Sequence, residues 1–481
     1  MAPLGWKGDT LKRLPSLLLL LLAVGCGATL PQADRDLFAA IKADDAPQVQ
    51  RSLVSGANIN VARDSYYDGL SPLGWASASG STKAAELLIA RGADVNGVSK
   101  GGVTPLHVAA LTEHPAVTTL LIRHGANVNA PTDGGWTPLY KAMEQLASAP
   151  ATTTPPAAEV ASVVSIVTSL LASGAQVNVQ SPVGGMPIHM AALTGQKTLV
   201  QMLLDKGADV DARSTDGMTP LYQAARKDAA EVAELLIARG ADVNARTKSG
   251  NTALMISADQ GSAQVAKLLL GHGADVNARD KEGFPPLLWA CRSFLVVYTL
   301  EASTPGARDE LRKISGAVSA AEMTETRKAA RQVKGNFGAV AMLLVNGGAD
   351  PNVAAPAFTS LGAAAVVGDK ALAEALIAHG AMIDATTGGE SPLHAAIAEA
   401  HGDVAALIID KGANVNARNM SQLTPLHFLG VYMHDRKLAD LLIQHGADVN
   451  AKDQSGHTAL EGAIRAGNNE VAEVLRQHGA K

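Results

Sequence analysis

Histidine is the residue type of this chain best suited to metal binding or proton transfer. Thirteen are present, and nine of them fall at two recurring positions. Four close a Thr-Pro-Leu-His-like element and five directly precede a glycine: His107, His189, His394 and His427, then His124, His272, His379, His445 and His478. The other four, His114, His401, His434 and His457, lie far apart in sequence and lack metal-ligand spacing. We therefore predict neither a metal site nor a cofactor.

Nucleophilic catalysis is equally poorly supported. The chain contains no Gly-x-Ser-x-Gly element, no P-loop, no His-Glu-x-x-His and no EF-hand pattern. Of the two cysteines, Cys291 stands where neighbouring segments have a small alanine within a short apolar helix. This position favours a buried packing residue over a nucleophile. The sequence thus predicts a non-enzymatic protein.

The other cysteine, Cys26, belongs to an N-terminal export signal predicted over residues 1–28. Lys7, Lys12 and Arg13 precede an apolar run from 17 to 24 that is too short to span a bilayer, and small residues follow it. The stretch Ala-Val-Gly-Cys at 23–26 resembles a bacterial lipobox, which predicts lipidation of Cys26 and anchorage in the periplasm or cell envelope. The alternative is cleavage after Ala28 and release as a secreted protein.

Length and composition indicate a repeat array. At 481 residues the chain is longer than the length at which a single hydrophobic core usually stops growing. Hydrophobic residues make up 47% of the chain, but aromatic residues make up only 3%. A core of small aliphatic side chains is typical of closely packed helical repeats. The net charge of -5 argues against a nucleic-acid partner.

A Gly-Ala-Asp/Asn-Val-Asn-like element recurs along the chain with a basic period of 33 residues. Its glycines are Gly56, Gly92, Gly125, Gly174, Gly207, Gly240, Gly273, Gly348, Gly380, Gly412, Gly446 and Gly479. The unit at 216–246 shows the design: a turn at Asp216, a helix capped by Thr219, and a second helix that Gly240 ends. Each unit is therefore predicted to be a helix-turn-helix followed by a hairpin or loop.

This unit resembles the ankyrin repeat, whose core reads T-P-L-H-x-A. That core appears here at 104–107 and 424–427, with variants at 137–140, 186–189 and 391–394. The resemblance implies an all-α solenoid of about twelve repeats over 34–292 and 337–481, with histidines in the Thr-Pro-Leu-His position bonding neighbouring units. It also implies a protein partner on the concave surface of hairpin tips and first helices. We expect a monomer whose membrane contact is confined to its N-terminal lipid.

Two insertions interrupt the period. The first contains the Pro/Thr-rich stretch 148–159, which predicts an irregular solvated loop. The second, at 293–336 within the eighth repeat, is partly apolar and then charged and helical in pattern. Either it carries a regulatory or active function, or it pads the neighbouring outer face.

Candidate partner-binding residues lie at the predicted hairpin tips. Arg213, Arg246 and Arg279 recur every 33 residues, with Lys248 beside them and Arg418 and Lys452 in later units, and they predict a basic ridge. The alternative is that Asp216 and Asp280 neutralise this ridge. The aromatic residues at tips, which make good binding anchors, are Tyr66, Tyr67, Trp136 and Phe284. Trp75 and Trp289 share a first-helix position that favours core packing instead.

The leading functional hypothesis is a protein-interaction scaffold of the cell envelope. One alternative is a secreted effector that acts on host proteins. Another is a solenoid that positions an active or regulatory insert at 293–336.

Overall fold

The computed structural model describes residues 30–61, 69–148, 155–181, 184–293, 337–355, 358–387 and 389–481. The described residues fall into two compact units, one ending at residue 181 and the other beginning at 184. Cys26, Tyr66, Tyr67 and the insertion from 294 onward lie outside them.

The first unit contains four helix pairs. Its helices are α1 (Gln32–Lys42), α2 (Ala46–Val54), α3 (Pro72–Ser79), α4 (Thr82–Ala90), α5 (Pro105–Leu111), α6 (Pro115–Arg123), α7 (Pro138–Ser148) and α8 (Ala157–Ala172). Odd-numbered helices are the first of each pair, and they stack on one another through this unit, as the second helices do.

The second unit contains eight helix pairs of the same kind. Its helices are α9 (Pro187–Thr194), α10 (Lys197–Asp205), α11 (Pro220–Arg226), α12 (Ala230–Ala238), α13 (Ala253–Gln260), α14 (Ala263–Gly271), α15 (286–293), α16 (337–346), α17 (Ser360–Val367), α18 (Lys370–Ala378), α19 (Pro392–Ala398), α20 (Gly402–Asp410), α21 (Pro425–Tyr432), α22 (Arg436–Gln444), α23 (Ala459–Arg465) and α24 (Asn469–Gln477). Its two short strands, β1 (Ala354–Ala355) and β2 (Phe358–Thr359), pair antiparallel. The predicted all-α solenoid of about twelve repeats is therefore confirmed.

The repeat pattern accounts for the ends of these helices. In the unit at 216–246, the Thr219 hydroxyl accepts a hydrogen bond from the Tyr222 amide at 3.2 Å, and Pro220 occupies the first helical turn. Gly240 follows α12 with a φ of +93°, a conformation that other residues adopt only with strain. Alanines such as Ala224 and Ala225 are fully buried, so successive first helices approach closely without aromatic side chains.

The irregular loop in the first insertion is shorter than the stretch 148–159 that the sequence predicts. Residues 157–159, expected to be irregular, form the first turn of α8, which has sixteen residues where most second helices have nine. Glu159 lies in that first turn, where a carboxylate stabilises the positive end of the helix dipole, and Pro156 directly precedes it. The surplus sequence therefore partly lengthens a helix.

Candidate functional site

The hairpin tips of the second unit are joined by backbone hydrogen bonds. The amide of Thr215 donates to Gly184, that of Lys248 to Asp216 at 2.8 Å, and that of Lys281 to Ser249 at 3.0 Å. Each tip therefore holds the next in a fixed register.

The arginine column lies along these tips and is exposed. Nη1 of Arg213 donates to the backbone carbonyl of Arg246 at 2.8 Å, and Nη1 of Arg246 donates to that of Arg279 at 2.6 Å. Arg418 makes the same bond to the carbonyl of Lys452 at 2.8 Å. These arginines thus connect consecutive tips. The bond to the next tip holds each side chain in place, while the residue remains exposed to solvent.

Asp280, which the sequence offers as a counter-charge for this column, forms no ion pair with an arginine among the described residues. The Asp280 carboxylate accepts bonds from the amides of Phe284 at 2.8 Å and Glu282 at 2.9 Å, and from the indole nitrogen of Trp289 at 3.0 Å. It therefore closes its own turn and orients the Trp289 indole. Asp216 contributes its backbone carbonyl to the bond from the Lys248 amide.

Lys248 is less constrained than the described arginines of the tips. It is exposed, and its side chain forms no hydrogen bond or ion pair with any residue in the described ranges. Phe284 is half-buried, and its backbone amide donates to the Asp280 carboxylate that closes the turn. Lys248 is thus the better placed of the two to reach a partner.

Trp136, in the first unit, is half-buried at its tip. Its ring lies 4.6 Å from that of Tyr140, and Nζ of Lys141 lies 5.2 Å from the indole centroid. The backbone carbonyl of Trp136 also accepts a bond from Nε2 of His107 at 2.9 Å. Trp136 therefore combines a structural role with a partly open ring.

The Thr-Pro-Leu-His histidines bond neighbouring repeats, as the resemblance implied. Nε2 of His107, His189, His394 and His427 lies 2.9 to 3.3 Å from a backbone carbonyl of the following repeat. Burial lowers the pKa of all four. These side chains are structural and neutral. Within the described ranges no group of histidine, cysteine or acidic residues could hold a metal ion.

Cys291 is fully buried, and burial raises the pKa of its thiol to about 12. A nucleophilic cysteine requires access and a thiolate. The prediction of a packing residue agrees with this placement.

Sequence reasoning missed a charged network on the first-helix face. Trp289 is half-buried instead of lying in the core like Trp75, and the Arg292 guanidinium lies 4.3 Å above its ring. Arg292 also pairs with Asp259 of the preceding first helix at 3.2 Å. The sequence does contain a signal for this network. The same repeat position carries alternating charge in three consecutive repeats, at Arg226, Asp259 and Arg292.

No helix in the described ranges combines the length and apolarity needed to cross a membrane.

Family models for ankyrin repeats match more than half of the chain. A three-copy model matches residues 37–132, 93–149, 157–247 and 327–419, a many-copy model matches 236–285, and a single-repeat model matches 421–454. Human transient receptor potential cation channel subfamily A member 1 is 28% identical over 93 residues, which make up 19% of this chain and 8% of that protein. The crystal structure of human ASB11 ankyrin repeat domain is 28% identical and covers 52% of this chain and 100% of its own, with a TM-score of 0.39.

Proposed function

Because this chain belongs to the ankyrin-repeat family, whose repeats are protein-interaction modules, we propose that it is a non-enzymatic scaffold that binds a protein partner through its hairpin tips and first helices. The observation that carries the proposal is the column of exposed arginines, whose guanidinium groups donate to backbone carbonyls of the next tip. A rigid surface loses little conformational entropy when a partner binds.

The contacts divide the tip residues into two classes. Arg213 and Arg246 both hold the next tip and face solvent, whereas the Lys248 side chain faces solvent without a bond to the described residues. Lys248 therefore allows contact with a partner to be tested without disturbing the tips.

The test is photo-crosslinking by the full chain in cell extracts. A photoreactive amino acid replaces Lys248 in one variant and Glu234, which is exposed on the second helix α12 of the adjoining repeat, in its matched control. We expect one protein to be crosslinked from position 248 and not from 234. Equal crosslinking from both positions, or none from 248, would refute binding at the tips.

We further propose that the chain is exported and anchored in the cell envelope through a lipid on Cys26. The support is the order of basic residues, short apolar run and Ala-Val-Gly-Cys stretch within residues 1–28. Metabolic labelling with a palmitate analogue tests this, with Cys26→Ser as the control. Labelling of neither protein would favour cleavage after Ala28 and release, whereas equal labelling of both would place the lipid on a residue other than Cys26.

A further inference from the structure

Three consecutive repeats of the second unit carry arginine at the same tip position, and the same guanidinium nitrogen is held in each. Nη1 of Arg279 donates to the carbonyl of Gly283 in its own turn at 2.9 Å. Arg213 and Arg246 make longer bonds of this kind, of 3.5 and 3.4 Å, beside their shorter bonds to the next tip. In all three residues, therefore, Nη1 is turned towards the backbone of the tips.

The other edge of each guanidinium group is unoccupied. Nε and Nη2 of Arg213, Arg246 and Arg279 form no hydrogen bond or ion pair with the described residues, and all three residues are exposed. These two nitrogens carry parallel N–H groups in one plane, which match the two oxygens of a carboxylate. The column therefore offers three bidentate carboxylate sites, each already oriented by its backbone bonds.

Cations outnumber available acidic groups at these tips. Lys248 and Lys281 share a second repeated position, both are exposed, and neither side chain bonds to a described residue. Of the acidic residues in the same turns, Asp280 is occupied by two amides and an indole, which leaves Asp216 and Glu282. The aspartates that precede each arginine accept bonds from backbone amides. Charge complementarity thus favours an acidic partner, although the whole chain has a net charge of -5.

The spacing of the column limits the shape of a segment that can reach all three arginines. Each of the first two guanidinium groups bonds to the backbone of the next arginine, so neighbouring sites are one repeat apart. Packed helices lie about 8–10 Å apart. A polyproline II segment advances about 3.1 Å per residue and returns to the same face every third residue, after about 9 Å. In a β-strand the residues on one face are about 6.6 or 13 Å apart, and neither interval fits.

We propose that Arg213, Arg246 and Arg279 bind an extended acidic segment of a partner protein in which every third residue is aspartate or glutamate. The inference rests on the proposed scaffold function and names the chemistry of the segment that the tips bind. Each carboxylate pairs with the Nε and Nη2 edge of one arginine, and Lys248 and Lys281 add attraction of longer range.

An extended segment is favoured over a helix by the number of residues that must become ordered. An α-helix places residues about 10.5 Å apart on one face only at every seventh position, so it orders roughly fifteen residues to reach three sites. The extended segment orders about seven residues for the same contacts.

The test compares three fluorescent peptides for binding to the full chain at low salt. The first repeats Glu-Pro-Pro four times. The second has the same composition, but the intervals between its glutamates alternate between two and four residues. The third is helical, with glutamate at every seventh position. We expect the first peptide to bind about ten-fold more tightly than the others, because each of them leaves a carboxylate unpaired, and added salt should weaken its binding.

Matched variants locate the site on the chain. Arg246→Gln removes the middle site and should weaken binding of the Glu-Pro-Pro peptide about ten-fold, and Arg246→Lys, which keeps the charge without the planar edge, should fall between. Arg418→Gln is the control, because it removes the same charge and the same kind of bond to the next tip. Thr386 and Lys452 occupy this position in the adjacent repeats, so no column of arginines is interrupted and binding should match the wild type.

Several results would overturn the inference. They are no binding of the Glu-Pro-Pro peptide, equal or tighter binding of either other peptide, and equal losses in Arg246→Gln and Arg418→Gln. Binding of single-stranded DNA or phosphatidylglycerol vesicles that exceeds peptide binding and is abolished by Arg246→Gln would also overturn it. The peptide comparison uses the wild type, so it does not depend on the folding of a variant. Crosslinking of a protein from position 248 does not require an acidic segment, so failure here leaves the scaffold function standing.

Discussion

At the scale of single residues, the buried histidines form both of their hydrogen bonds in the neutral state. In His189 the Met186 amide donates to Nδ1 at 3.1 Å, so the ring proton resides on Nε2, which donates to the carbonyl of Met218 at 2.9 Å. A second proton on Nδ1 would break the first bond. This arrangement and burial both oppose protonation, and the pKa of His189 is lowered.

We therefore predict that acid destabilises the array. Between the lowered pKa and the ordinary value of 6.5, the unfolded state binds more protons than the folded state, so the free energy of unfolding falls as the pH drops below 6.5. His189→Tyr should reduce this loss, since Tyr140 and Tyr222 occupy the same position in other repeats. Urea unfolding of the wild type and of His189→Tyr at about pH 5.5 and 7.5 measures the loss in the free energy of unfolding for each protein. Equal losses in both proteins would contradict the prediction.

Glu113 should show the opposite dependence. Burial, and secondarily the charge of Glu159, raises the pKa of Glu113 to about 7. From the ordinary value of 4.5 up to about 7, the folded state binds more protons than the unfolded state, so this residue lowers stability as the pH rises. Glu113→Gln should be more stable than the wild type above pH 7 and equal to it below 4.5.

Thermal unfolding across this pH range, with the difference between variant and wild type plotted against pH, measures the effect of Glu113→Gln. Glu159→Gln is the matched control and should give a smaller gain, since burial is the larger cause of the shift. A difference independent of pH would indicate altered packing or backbone strain, for Glu113 has a φ of +61°.

Most residue roles that follow from repeat position could be predicted from the sequence, and those that depend on register could not. The histidine bonds follow from the resemblance to the ankyrin repeat, and the buried state of Cys291 follows from the position that it occupies in the unit. The bond from Arg246 to the carbonyl of Arg279 depends on how adjacent tips align, which the spacing of 33 residues does not reveal. For the same reason the spacing offers Asp280 as a counter-charge for the arginines without revealing its bond to Trp289.

At the scale of elements, an asparagine ladder connects consecutive repeats. The Asn244 amide donates to the carbonyl of Gly273 at 3.1 Å, and its oxygen accepts from the Asp275 amide at 2.8 Å. Asn277 does the same with Gly348 and Asp350 across the second insertion. The final asparagine of the recurring Gly-Ala-Asp-Val-Asn element is therefore structural, a role that the sequence marks by recurrence without revealing the bond.

We predict that Asn277→Ala destabilises the second unit by about 1–2 kcal/mol, the usual net value of two hydrogen bonds. Asn277→Asp keeps the acceptor and loses the donor, so it should cost less. Asp211 already holds this position in another repeat and accepts from the Asp242 amide at 3.0 Å. Urea unfolding of the three proteins checks the order, and an aspartate variant less stable than the alanine variant would contradict it.

The tip residues should separate stability from binding. Arg246→Ala removes the bond to the next tip and is expected to lower both the unfolding midpoint and crosslinking to the partner. Lys248→Ala should lower crosslinking and leave the midpoint unchanged, because its side chain bonds to none of the described residues. Thermal unfolding alongside crosslinking from a photoreactive group at position 281 gives both values. A stability loss in Lys248→Ala would refute this division.

At the scale of the whole molecule, repeat architecture explains why the fold was predictable along most of the chain while the insertions were not. Each unit contacts its neighbours through the same positions, so a period read from twelve glycines fixes the packing. An insertion has no repeated counterpart to set its register. The sequence thus placed the irregular segment at 148–159, although α8 begins at Ala157.

The second insertion separates α15 from α16, and contacts between described residues join the repeats that flank it. Asn277 reaches Gly348 at 3.1 Å, and Arg292 pairs with Asp259. Val340 and Leu344 of α16 are fully buried, so this helix remains part of the core. The repeats on either side of the insertion are therefore joined by contacts of their own.

We accordingly predict that residues 294–336 can be replaced by Gly-Ser, the pair that joins α13 to α14, without loss of the fold. Circular dichroism per residue should not fall and unfolding should stay cooperative, whereas exchanging the buried Leu344 for Asp should abolish both. Crosslinking from position 248 then decides between the scaffold hypothesis and the hypothesis that the solenoid positions an active or regulatory insert. If it persists in the shortened chain, the repeats themselves bind the partner; if it disappears while the fold is intact, the insertion carries the interaction and the repeats position it.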